Sequence, residues 1–193
     1  MRDEYLAENC LSAVSPKDKI ADYETEVVKY VDKLNEVYHI LEFLGNSRRI
    51  GAIVMNCNPF TLGHRYLIEE SAKKVQKLII FVVEENRQVM MDASLDLNIF
   101  SSYIAPKFGI TIRFAGEEPI DPVTAQYNRQ MRERFSKEGR IEFSEIPRKE
   151  LEGEAISASL VRKELENGNW EKIRMMVPAT TYEFLKSDGA VRG

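Results

Sequence analysis

Two short clusters hold most of the side chains able to do chemistry. The first is Thr61-Leu62-Gly63-His64, which closes a polar loop beginning at Asn56-Cys57-Asn58-Pro59. A continuous apolar run, Ile50 to Met55, precedes the loop, and an amphipathic stretch with Leu67, Ile68, Ala72 and Val75 follows it. This reads as a buried parallel strand, a tight loop and a helix. A helix N-terminus offers unpaired amide donors and a partial positive charge, so it favours phosphate. Gly63 would let a phosphate or base approach the backbone closely. An imidazole donor from His64 could stabilise charge developing at an α-phosphate as pyrophosphate departs. The second cluster is Ile156-Ser157-Ala158-Ser159-Leu160-Val161-Arg162. Two hydroxyls and free amides at a helix start, with a guanidinium one turn on, suit outer phosphates.

Each residue also has a plainer reading. His64 could be a helix-capping histidine, Thr61 a turn hydroxyl and Gly63 a turn glycine. Ser157 and Ser159 could be ordinary N-caps. Asn56 and Asn58 are as well explained as loop-structuring amides as by ligand contact. Glu117 and Glu118 follow a strand's C-terminal end, where ligands of open α/β sheets bind, and are candidates for the site rim. Cys57 reads as a small buried residue, since a nucleophilic role requires a depressed pKa. Arg129, Arg132 and Arg134 read as a solvated helix face, and His39 as structural or surface.

The segment Asn58-Pro59-Phe60-Thr61-Leu62-Gly63-His64 resembles the (His/Thr)-x-Gly-His signature of the nucleotidyltransferase superfamily. Residues 156–162 resemble its Ile-Ser-x-(Ser/Thr)-x-Val-Arg signature. The wider stretch 51–69 is similar to the citrate lyase ligase family, and the similarity runs from about Ile50 to about Leu185. That resemblance implies a Rossmann-like α/β fold, a doubly wound parallel sheet of some four strands. It also implies ATP and Mg²⁺, with acetate attacking the α-phosphorus and the acetyl group then passing to the thiol of the citrate lyase acyl carrier protein's prosthetic group. His64 and Thr61 would be catalytic. Asn56, Asn58, Gly63, Glu117, Ser157, Ser159 and Arg162 would bind ATP, with no protein-held metal. Two other readings stay open: an adenylyltransferase of the pantetheine-phosphate type, and a non-catalytic nucleotide- or partner-binding module. In the resembled family a longer segment, with a further strand, fills the place of residues 84–94, and a separate acetyltransferase-like domain stands before the counterpart of Ile50.

Composition sets the outer bounds. At 193 residues with 44% apolar content, one domain with a sizeable core is expected. A net charge of −4 argues against generic nucleic-acid binding. Cys10 and Cys57 show neither metal spacing nor a disulfide framework, and a reduced, cytoplasmic setting fits. The acidic, polar N-terminus does not read as a signal peptide, and no apolar run approaches membrane-spanning length.

The elements that must position the clusters follow from periodicity. Val27, Val31, Leu34, Tyr38 and Leu41 predict one helix over 24–44, closed by Gly45 and packed as an appendage (1–49) on the nucleotide-binding domain (50–193). Strands are predicted at 50–55, 78–83, 110–114 and 141–146, the second of them at the sheet edge. Helices are predicted at 64–76 and 95–108, from Asp121 (an N-cap) to Lys137, at 158–166 and 169–176, and through Leu185. The stretch after Pro147 reads as a charged loop.

Overall fold

The computed structural model describes residues 16–83, 93–118 and 122–191. The Asp121 cap, the Met90–Met91 pair, Cys10 and the 84–92 connection lie outside the described residues. The chain order is α1 (Pro16–Tyr38), α2 (Ile40–Leu44), β1 (Ile50–Met55), α3 (Leu62–Ala72) and β2 (Lys77–Val82). Next come α4 (Ala93–Ile99), a π-helical turn (Phe100–Ile104), α5 (Ala105–Phe108), β3 (Ile112–Gly116), α6 (Pro122–Glu138) and β4 (Glu142–Ile146). The short strands β5 (Glu150–Leu151) and β6 (Glu154–Ala155), then α7 (Ala158–Glu166), α8 (Trp170–Met176) and α9 (Ala179–Val191), complete the described chain.

Four parallel strands pair in the order β2-β1-β3-β4. The chain moves outward in one direction from β1 to β2, then in the other from β3 to β4. Right-handed crossovers therefore put helices on opposite faces. Strand alternation divides the core accordingly. Ile53, Met55, Ile112, Phe114 and Ile146 face α3 and pack with Leu67 and Ile68. Ala52, Val54 and Ala115 face the other way, toward Leu97, Phe100, Met131 and Phe135. The sheet is doubly wound, and the point where its order reverses lies between β1 and β3. As expected, β2 is an edge strand, and Val82 on it is exposed.

The N-terminal helix differs from its prediction. It breaks at His39, which adopts a left-handed conformation (φ 49°), so α1 and α2 are separate. The side chain of Asn35 accepts a hydrogen bond from the Leu41 amide across the break. Val31 and Leu44 are buried in the same core as Ile50 and Ala52, so this segment packs on the domain. Pro106 explains the π turn. It brings no amide proton for an ordinary helical bond, and the ladder widens just before it, with the Ala105 amide bonding to Phe100. The predicted loop after Pro147 instead carries the β5–β6 hairpin, turned by Glu152 and Gly153 at positive φ. No helix among the described residues is long and apolar enough to cross a membrane.

Candidate active site

A cavity of about 700 Å³ opens at the C-terminal ends of β1, β3 and β4. In open α/β sheets this is where ligands bind, outside the point of strand-order reversal. The N-termini of α3 and α7 both reach it: Gly63 and His64 line it from one, Ser157, Ser159 and Arg162 from the other. The two clusters, far apart in sequence, also touch each other. A methyl group added at Gly63 would lie 2.4 Å from the Ile156 carbonyl oxygen, so only glycine permits this approach. The Arg162 guanidinium donates to the Asn58 carbonyl and, at 3.1 Å, to Ser159 Oγ.

His64 is held from behind. Thr61 caps α3: its Oγ1 accepts from the His64 amide at 3.2 Å, while the Thr61 amide donates to His64 Nδ1 at 3.1 Å. An Nδ1 that accepts leaves the proton of the neutral ring on Nε2. Burial first, and the nearby Arg148 charge second, push the His64 pKa below its ordinary 6.5. The ring is therefore neutral at pH 7 and presents one N–H donor. Phe60 stacks against it at 5.7 Å between centroids.

Three of the expected site residues lie off the cavity lining. Thr61 is fully buried and does not line the cavity. Its hydroxyl accepts the capping hydrogen bond from the His64 amide, which places Thr61 behind the His64 ring. Asn58 also lies off the lining, and its exposed side chain leaves the backbone carbonyl as the contributing group, toward Arg162. Glu117 is exposed and outside the cavity, whereas Glu118 lines it. Adjacent residues leaving a strand point to opposite sides, and sequence could not choose between them. Asn56, Gly63, His64, Ser157, Ser159 and Arg162 do line the cavity. Ser157 is also the α7 N-cap, with Oγ accepting from the Leu160 amide at 3.1 Å. Cys57 is half-buried, and burial raises its pKa, which disfavours a nucleophilic role.

The structure adds residues that the motifs did not reveal. Arg148 and Lys149 line the cavity beside the hairpin, and Arg148 pairs with Glu118. Arg113, Tyr127 and Asn128 line its other end, between β3 and α6. With Arg162, the described residues of the lining carry four cationic side chains and one carboxylate, on a chain of net charge −4. A cleft of that sign concentrates anions. The signal for Arg113 was available: a charge inside the run Ile110–Phe114, in a sheet covered on both faces, has no solvent to point into.

A citrate lyase ligase C-terminal domain model matches residues 50–94 and 89–185. The chain is 35% identical to the [citrate [pro-3S]-lyase] ligase of Haemophilus influenzae, covering 75% of this chain and 58% of that one. The Klebsiella pneumoniae and Escherichia coli proteins of the same name are 33% and 32% identical. They match 72% and 84% of this chain, and 55% and 59% of their own lengths. The chain thus spans a little over half the length of the curated relatives it matches. The Haemophilus alignment runs to 195 positions, more than the share of this chain it contains, so that relative carries residues this chain lacks. The family match itself divides near residue 90. Among solved structures, Thermotoga maritima TmcAL bound with α-thio ATP is 14% identical with a TM-score of 0.40, covering 72% of this chain and 55% of that one. That likeness is too distant to carry argument.

Proposed function

This chain belongs to the citrate lyase ligase family, and from that premise we propose that it activates acetate with ATP and passes the acetyl group to the thiol of the citrate lyase acyl carrier protein's prosthetic group. The observation that carries this reading is the convergence of His64 and Arg162, from two separate helix N-termini, on one cationic cavity.

In the first half-reaction an acetate oxygen attacks the α-phosphorus. A new P–O bond forms, the bond to the α–β bridging oxygen breaks, and its electron pair leaves with pyrophosphate. The neutral His64 ring, donating through Nε2, would steady charge on the reacting phosphate. Arg162, the α7 amides behind Ser157, Arg148 and Lys149 would hold the outer phosphates as they depart. No covalent enzyme nucleophile is required, and catalysis is positioning with charge stabilisation. In the second half-reaction the carrier thiolate attacks the acetyl carbonyl. A C–S bond forms, the C–O bond to AMP breaks, and AMP leaves with the electron pair.

Mg²⁺ fits this scheme as a companion of the nucleotide. Among the described residues no three His, Cys, Asp or Glu side chains group as metal ligands, and Glu118 is engaged by Arg148. The ion would be held mainly by phosphate oxygens, as is usual for Mg²⁺–ATP, and would neutralise their charge.

The test is ATP–pyrophosphate exchange with and without acetate, in the wild type and in His64→Ala. Exchange should depend on acetate and fall about 10²- to 10³-fold in the variant, the scale for losing one preorganised donor. Wild-type exchange indifferent to acetate would end the ligase reading.

A further inference from the structure

The Arg113 side chain is only 3% exposed, yet it lines the cavity. Among the described residues its Nε and Nη1 have no hydrogen-bond partner. Burial brings its pKa down to about 10, which leaves it charged at neutral pH. The Phe100 ring, presented by the π turn, stacks 4.4 Å from the guanidinium carbon. Asp96 acts on Arg113 through space, but its carboxylate accepts a hydrogen bond from Tyr127 Oη. A buried cation with unfilled donors is costly unless an anion meets it.

We propose that Arg113 forms the carboxylate-binding subsite for a small apolar monocarboxylic acid, and so fixes which acid is activated. This deepens the ligase reading and rests on it. Geometry separates the subsite from the phosphate end. Arg113 and Ala115 project from the sheet face that α6 covers, whereas His64 stands on α3, which covers the opposite face. The walls near Arg113 include apolar side chains, Val54, Ala115 and Met131, beside the polar Thr124, Tyr127 and Asn128. One buried charge with a partly apolar wall matches one carboxylate on a short alkyl chain. A triphosphate carries several charges, and Arg148, Lys149 and Arg162 at the other end answer to those. A planar guanidinium also suits a planar carboxylate better than an ammonium would.

The experiment titrates [1-¹³C]acetate into the protein saturated with a non-cleavable ATP analogue, reading ¹³C line broadening. The analogue's own affinity is measured by calorimetry, and inorganic phosphate is titrated as a competing oxyanion. Arg113→Met should weaken acetate about 30-fold, the scale of one charged hydrogen bond, and leave analogue affinity within about 2-fold. Arg113→Lys should fall between, keeping charge but losing the planar fork. Unchanged acetate affinity in Arg113→Met would overturn the proposal. So would a parallel loss of analogue affinity, or phosphate competing as tightly as acetate, since either would assign Arg113 to the triphosphate. If Arg113→Met fails to fold, Arg113→Lys decides, and unchanged acetate affinity there overturns the proposal. Acetate binding that depends on Arg113, without acetate-dependent exchange in the wild type, would support this subsite while ending the reaction proposed above.

Discussion

At His64 one ring nitrogen does structural work and the other is left for chemistry. The Thr61 amide occupies Nδ1, and the hydroxyl of the same residue caps the helix. Thr61→Val keeps the shape but removes the cap, a loss of about 1 kcal/mol. For a chain of this length that is a fall of about 2–4 °C in melting temperature. Exchange activity should drop with it, and Thr61→Ser should restore both. Calorimetry beside the exchange assay checks this. The lowered His64 pKa also sets a direction with pH. The unfolded chain takes up a proton near 6.5, while the folded one resists until lower pH. The stability that neutral His64 carries is therefore complete above 6.5 and is lost as pH falls through the lower, folded-state value. Urea midpoints across that range should decline in the wild type, and the decline should be shallower in His64→Gln.

The α3 and α7 N-termini act as a pair because their loops are in contact. Gly63→Ala would drive a methyl group against the Ile156 backbone, which has no flexible end to swing away. The expected cost is about 1–3 kcal/mol, typical of overpacking, together with a spreading of the two phosphate-facing ends. ATP affinity should fall with stability, whereas in Thr61→Val it should be largely kept. Equilibrium unfolding and ATP titration on the same samples would show the difference. The π turn has a comparable positioning role on the far side, because its widened ladder brings Phe100 under Arg113.

For the molecule as a whole, the cavity joins many elements: β1, β3 and β4 from below, α3 and α7 from two sides, and the β5–β6 hairpin at the rim. A ligand touching so many elements should stabilise all of them together. ATP at about 100 times its dissociation constant should add about 2.7 kcal/mol, or about 5–10 °C in melting temperature. Arg162→Ala should lose most of that shift. It also releases the Asn58 carbonyl, so its unliganded melting temperature serves as the baseline. No ATP-dependent shift in the wild type would contradict the nucleotide reading.

The parallel strands were legible because each is a short apolar run between turn residues, and the two phosphate-facing clusters because each stands where a strand or loop feeds a helix. What periodicity could not supply was direction. It placed Tyr38 and Leu41 on one helix, although a single left-handed residue at His39 breaks it. It could not see that Thr61 turns inward, or that Glu118 and not Glu117 faces the cavity. Arg113 carried a signal, a charge inside an apolar run, but its significance comes from helices on both sheet faces, elements fixed by residues distant in sequence. Local sequence set the helices, the strands and the chemistry each loop offers, since those depend on neighbours in the chain. Which side chains share the cavity, and which buried charge goes unanswered there, depended on long-range packing, and only the tertiary structure decided it.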